Sequence, residues 1–262
     1  MSKWLLRFTA LGYLTALLLV PVGFVFYRAF SDGFMHAWDA VSSGRAVHAL
    51  ELTLLLTAIT VPVNTIVGIT LALALVRGRF PGRGLLNAVV DLPLALSPVV
   101  VGLALYLLYG RGGWLGGLAE HGIKVLFAVP GMVLATMFVS LPFVVREVVP
   151  VLREIGTEQE QAAETLGAGP FQVFRKITLP AIRWAVIYGV VLTTARVIGE
   201  FGAVSVASGR IQGKTETLPL YVSDQFESFN VAGAYAASVV LALIAIAVVV
   251  GLRPLHPKEE AS

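Results

Sequence analysis

The sequence predicts an all-α, polytopic membrane protein with about six spanning helices. Three observations carry that expectation. Hydrophobic residues make up 57% of the 262 residues and charged residues 13%, about half the charged share of a soluble domain, so much of the chain must face lipid. The apolar residues fall in long runs, and a run of roughly 20 suffices for a helix to cross the hydrocarbon core. The basic residues sit in the short polar stretches between those runs, as in loops at membrane surfaces.

Six runs qualify as spans, at residues 8–27, 52–76, 85–109, 126–145, 185–208 and 231–252. The first is too long for the apolar core of a signal peptide and no small-x-small cleavage site follows it, so it reads as a retained helix. If the N-terminus is cytoplasmic, the inner segments hold twelve of the nineteen Lys and Arg residues and the outer segments six, with Arg196 inside the membrane. That asymmetry, and the even number of spans, places both termini in the cytoplasm.

Several function classes are excluded. With no cysteine, disulfides, thiolate metal sites and iron–sulfur clusters are ruled out. The four histidines are far apart in sequence and form no metal-ligand motif. The net charge of +3 is spread over short loops, which gives no nucleic-acid footprint. Gly209-Arg-Ile-Gln-Gly-Lys-Thr looks like a phosphate-binding loop, but three residues separate its glycines where the motif needs four. The expectation is a chain with no nucleotide site and no cofactor of its own.

The long polar segment at 146–184 is the exception among the short loops, and long loops in compact proteins are usually functional or disordered. Thr157 with Glu160 three residues later reads as a capping box. Gly167 fits the left-handed position past a helix end, and Pro170 the first turn of a second helix. Phe171, Phe174 and Ile177 give that second helix an apolar face, and Pro180 ends it. The expectation is a helix–turn–helix, either a local hairpin or a docking element for a cytoplasmic partner.

Gln161-Ala-Ala163, Glu164-Thr-Leu166, Gly167 and then, after nine residues, Ile177-Thr-Leu179-Pro180 resemble the cytoplasmic Glu-Ala-Ala…Gly…Ile-x-Leu-Pro pattern in permease subunits of binding-protein-dependent ABC importers. Gln161 stands where the family usually has Glu, and Glu160 lies one place earlier. Asp91-Leu-Pro-Leu-Ala-Leu-Ser-Pro98, Pro130-Gly131-Met132-Val133, Phe143-Val-Val-Arg146-Glu147 and Ala195-Arg196-Val-Ile-Gly-Glu200-Phe-Gly202 look like the sulfate/thiosulfate permeases of the W type, with related segments in molybdate and tungstate permeases.

This resemblance implies a type I ABC importer permease fold in a single domain over 1–262, in the inner membrane, with a coupling loop at about 146–184. The ATPase-coupling residues would be Glu160, Gln161, Ala162, Ala163, Glu164, Gly167, Ile177, Leu179 and Pro180. The implied partners are a dimer of ABC ATPases using ATP-Mg, a second permease of the T type and an external oxyanion-binding protein.

The charges within spans are candidates for the translocation path, because ionisable residues there face a protein interior or water. Arg196 and Glu200 are four apart and can pair, as a structural ion pair or with Arg196 lining the path. Asp91 is interfacial or on the path. Pro93, Ser97 and Pro98 mark a kink that lines the path, gates it or is purely structural. Gly189, Gly199 and Gly202 allow close helix approach. The leading expectation is an ATP-driven sulfate/thiosulfate importer permease. The rivals are a molybdate or tungstate importer, an ion-coupled secondary transporter, and a membrane-embedded enzyme, for which no nucleophile–base pair is visible.

Overall fold

The computed structural model describes residues 3–251, and every regular element among them is helical. Five helices are long and apolar enough to cross a membrane, and a bent pair makes a sixth. The described chain divides into two compact units, one of residues up to Leu52 with Gln212–Ala247, the other of Thr53–Ile211.

In the first unit, α1 (Trp4–Phe30) is apolar all round and none of its most apolar window is buried, as expected of a helix in lipid. Two helices absent from the sequence reading follow the same logic as each other: α2 (Phe34–Ser42) and, late in the chain, α11 (Leu218–Glu227) are short and amphipathic. Between them in sequence, α3 (Gly44–Arg77) starts well before the expected 52. The sixth span, α12 (Val231–Val250), is rich in Ala and Gly on its packed side; the expected end at 252 lies outside the described residues, as does the C-terminus. Ala46, Ala49, Leu218, Tyr221 and Ala237 form the core of this unit.

In the second unit, the expected single third span is instead two helices, α4 (Arg83–Ala95) and α5 (Pro98–Tyr109), bent by 112° at the break. Proline disfavours the α conformation in the residue before it. Ser97 is accordingly extended, at φ −62° and ψ 135°, and Leu96 with it at φ −90° and ψ 141°. Pro93, by contrast, stays buried within α4. After α6 (Gly117–Glu120), the fourth span α7 (Val129–Glu154) runs nine residues past the expected 145. The second half of α7 is the main core of the unit, where Val144, Val145, Val148 and Leu152 are fully buried with Ala72, Leu75 and Ile182.

The segment at 146–184 is shorter as a loop than the sequence suggests. It contains α8 (Glu158–Thr165) and then α9 (Pro170–Ile198), a continuous helix and not a short one ended by Pro180. The reason is a π-helical turn at Phe174–Thr178. A proline ring clashes with the carbonyl four residues back; widening the preceding turn moves that carbonyl, here Lys176, aside. α1 does the same, with a π turn at Thr15–Leu19 just before Pro21. At its far end α9 stops at Gly199 and the chain restarts as α10 (Gly202–Ala207), so the expected fifth span at 185–208 is also broken.

Helices pack closely where glycine allows it. A Cβ on Gly189 of α9 would lie 2.9 Å from the Val144 Cα, and one on Gly68 of α3 2.7 Å from the Val144 Cβ. Val144 is thus wedged between two glycines of flanking helices.

Candidate functional site

Two groups of the expected site residues are positioned by this fold. The first is the segment around α8. Thr157 is its N-cap residue, but its side chain caps no backbone N–H, so the expected capping box is not made. Glu160 is drawn away instead. Arg77, the last residue of α3, donates from Nε to Glu160 Oε2 at 2.9 Å, and the Thr178 hydroxyl donates to Glu160 Oε1 at 2.7 Å. Arg77 also donates to the carbonyls of Leu152 and Gly156 at 3.0 and 2.6 Å. Those carbonyls belong to the end of α7 and the turn after it, where backbone acceptors lack intrahelical partners and a cation is favoured. One guanidinium therefore joins α3, α7 and α8, and Thr178 adds α9.

The other end of α8 closes as a Schellman turn. Ala168 N–H donates to the Ala163 carbonyl and Gly167 N–H to the Glu164 carbonyl, at 3.0 and 2.9 Å, with Gly167 at φ +86°. Gln161, Ala162 and Glu164 lie on the exposed face, whereas Ala163 and Glu160 are half-buried. Ile177, Leu179 and Pro180 are not part of this surface; they lie in and after the π turn of α9. Two apolar side chains flank the turn in the open, Leu166 at 88% exposure and Phe171 at 72%. The expected apolar face of Phe171, Phe174 and Ile177 is thus not turned inward as a whole; Val173 is the buried residue of that stretch.

The second group surrounds the two helix breaks. α5 and α10 run side by side from their first residues: a Cβ on Gly202 would lie 2.9 Å from Pro98, and one on Gly102 2.8 Å from the Ala203 carbonyl oxygen. Val101, Ala135, Val139, Ala203 and Ala207 fill the core behind them. Glu200 sits in the link from α9 to α10 and is 2% exposed. Its Oε1 accepts the Ala203 N–H at 2.8 Å and its Oε2 lies 2.5 Å from Arg196 Nη1. The expected pair is therefore made, although not across one helix face, because α9 ends at Ile198 before Glu200 is reached.

Asp91 is not brought to that pair. It lies in α4 and pairs with Arg146 of α7, whose Nε donates to Asp91 Oδ1 at 2.6 Å and whose Nη2 donates to Asn87 at 3.2 Å. Ser97, at the α4–α5 break, is exposed and makes no side-chain cap. Sequence reasoning missed Arg146, counting it as a loop residue, and Arg77 as a partner for Glu160. The available signal for Arg146 was Asp91 itself, a carboxylate inside a span that needs a cation. In the first unit it missed Arg45, which donates to Glu216 at 2.8 and 2.6 Å and to Asp224 at 2.5 Å, tying the start of α3 to α11 and the segment before it.

A family described as the binding-protein-dependent transport system inner membrane component matches residues 64–258. The chain belongs to that family. Among relatives, the transport component is 50% identical over 249 residues to the sulfate transport system permease protein CysW of Synechocystis sp., covering 95% of this chain and 90% of that one. It is 42% identical over 236 residues to the CysT sulfate permease protein of Salmonella typhimurium, covering 89% of this chain and 85% of that one. A solved bacterial ABC transporter involved in import of the acidic polysaccharide alginate has the same fold, with a TM-score of 0.78 at 18% identity over 97% of this chain and 95% of that one. The component is thus a multi-pass membrane protein of a transport system and not an enzyme.

Proposed function

We propose that the chain is a permease subunit of an ATP-driven importer of sulfate or thiosulfate, forming half of an alternating-access pore. The observation that carries the mechanism is the tie from Arg77 to Glu160 and Thr178. It makes α8 an exposed helix whose inner side is fastened to three long helices. A partner that grips the exposed face of α8 moves those helices together. Membership of a binding-protein-dependent transport family supports an ABC ATPase dimer using ATP-Mg as that partner. Gln161, Ala162, Ala163, Glu164 and Gly167 form the contact, with Leu166 as its apolar anchor; Glu160 is the fastening.

The substrate class is supported by identity of about half to sulfate permeases. A related T-type subunit would complete the pore, and an external binding protein would deliver the anion. The Lys and Arg asymmetry supports a cytoplasmic position for α8 and for both termini. Arg196, Glu200, Pro98 and the broken helices around them line the route. Asp91 with Arg146 also belongs there: the two side chains are 41% and 34% exposed in this chain, and such charges within long apolar helices face water or protein and not hydrocarbon.

The test is reconstitution of this chain with the ATPase, the second permease and the binding protein in liposomes. ATP-dependent accumulation of labelled sulfate is expected, and none with this chain alone. Accumulation by this chain alone would support the secondary-transporter reading instead.

A further inference from the structure

We propose that the Glu200 carboxylate is a tethered competitor for the transported anion: in this conformation it occupies the position beside Arg196 that an oxyanion takes once the pair opens. The inference rests on the oxyanion-permease reading above.

The carboxylate bridges two separately held elements. Oε1 accepts the Ala203 N–H of α10 at 2.8 Å. Oε2 has Arg196 Nη1 of α9, at 2.5 Å, as its only partner among the described residues. A guanidinium and a backbone N–H are the donor types that hold the oxygens of a phosphate or sulfate. Glu200 accepts the N–H and neutralises the guanidinium by an ion pair, without a hydrogen bond to it, and is itself closed off at 2% side-chain exposure, whereas the Arg196 side chain keeps 29%. The guanidinium therefore keeps an open edge by which an oxyanion can approach, while the carboxylate neutralises it until the pair opens.

The link between the two elements is a hinge. Gly199 ends α9 without a tight neighbour, the Glu200 N–H donates to the Val197 carbonyl at 3.1 Å, and α10 begins at Gly202. α10 is held from its other side by α5, through Gly202 against Pro98 and Gly102 against the Ala203 carbonyl. Movement of the α5–α10 pair relative to α9 carries the carboxylate away with the Ala203 N–H and leaves Arg196 behind. The cation is then available to an oxyanion. When the pair returns, Glu200 displaces it.

Such an exchange answers a physical difficulty. An unpaired guanidinium in a low-dielectric interior would hold a dianion strongly, and transport requires binding weak enough to release. A carboxylate fixed to the moving element makes affinity high in one state only.

The test uses the assembled transporter, this chain with its ATPase and second permease in lipid nanodiscs, without the binding protein, and sulfate as the probe. Equilibrium binding of labelled sulfate is compared for the wild type, Glu200→Gln, and Glu200→Gln combined with Arg196→Gln. Glu200→Gln can still accept the Ala203 N–H but releases Arg196. It should bind sulfate at least tenfold more tightly, hydrolyse ATP and accumulate less sulfate, and the double variant should lose the gain. Sulfate binding by assembled Glu200→Gln no tighter than wild type overturns the proposal, as does a gain that survives in the double variant. If Glu200→Gln does not assemble, Glu200→Asp, which keeps the charge but withdraws it by one methylene, should show a smaller gain, and no gain there overturns the proposal equally. Failure of the wild-type complex, with its binding protein, to accumulate sulfate would instead overturn the permease reading itself.

Discussion

Arg77 holds Glu160 at the junction of four helices: its Nε lies 2.9 Å from Glu160 Oε2 while two of its other donors reach the carbonyls of Leu152 and Gly156. The two side chains are 20% and 15% exposed, so the pair is largely shielded and loss of one member strands the other. The arrangement explains why Glu160 departs from its expected capping role. A guanidinium satisfying three acceptors outcompetes the backbone N–H of Thr157 for one carboxylate.

Arg77→Ala should therefore lower stability by about 2 kcal/mol and reduce ATPase stimulation even where the complex assembles. Glu160→Ala should have a similar effect, and the double variant should cost less than the sum of the two, a coupling of about 1–3 kcal/mol. Thermal unfolding of the four proteins in one detergent measures this. Strict additivity would show that the tie contributes no coupling.

Gly167 is at φ +86° and a Cβ built there meets nothing within 4 Å. The cost of a side chain is therefore conformational within this chain, roughly 1 kcal/mol or more for a branched residue. Gly167→Val should leave the spans inserted while weakening ATPase co-purification, and Ala163→Trp should do so by steric block. Both variants retaining wild-type co-purification, hydrolysis and uptake would remove α8 from the coupling role.

Leu166 makes the same point from the opposite side, since at 88% exposure it adds little to the fold of the free chain. Leu166→Asp should change stability by less than about 0.5 kcal/mol and yet lower ATPase affinity by about tenfold, as expected of an apolar anchor in an interface. Co-purification titrated against ATPase concentration reads the difference.

Gly189 tests packing without chemistry. A Cβ there would lie 2.9 Å from a backbone atom, the Val144 Cα, so a change of side chain at Val144 cannot relieve it. Gly189→Leu should destabilise by about 1–3 kcal/mol through overpacking, and Gly189→Leu with Val144→Ala should not recover the loss. Full recovery in thermal unfolding would mean that α7 and α9 separate more easily than their glycine contact indicates.

Orientation is open to direct labelling, because the chain has no cysteine. Single cysteines at Thr165 and Gly213 should react with a membrane-impermeant thiol reagent from opposite sides, Gly213→Cys in intact cells and Thr165→Cys only after permeabilisation. The reverse pattern would invert the topology.

The sequence by itself determined the class of this protein. Runs of about 20 apolar residues leave lipid as their only stable environment. The Gly167 turn and the Pro170 helix start were legible too, because left-handed backbone and a missing N–H are local properties. What the tertiary structure decided was where those runs break and which charges meet. Continuous hydropathy conceals the breaks at Ser97 and Gly199, since apolar residues on both sides of a bend read like one span. The partners of Glu160 and Asp91 lie 83 and 55 positions away along the chain. Pro180 points the same way: alone it signals a helix end, and only the π turn packed before it lets α9 continue. Local rules fix what each residue disfavours, whereas the packing of helices distant in sequence settles which neighbour compensates for it.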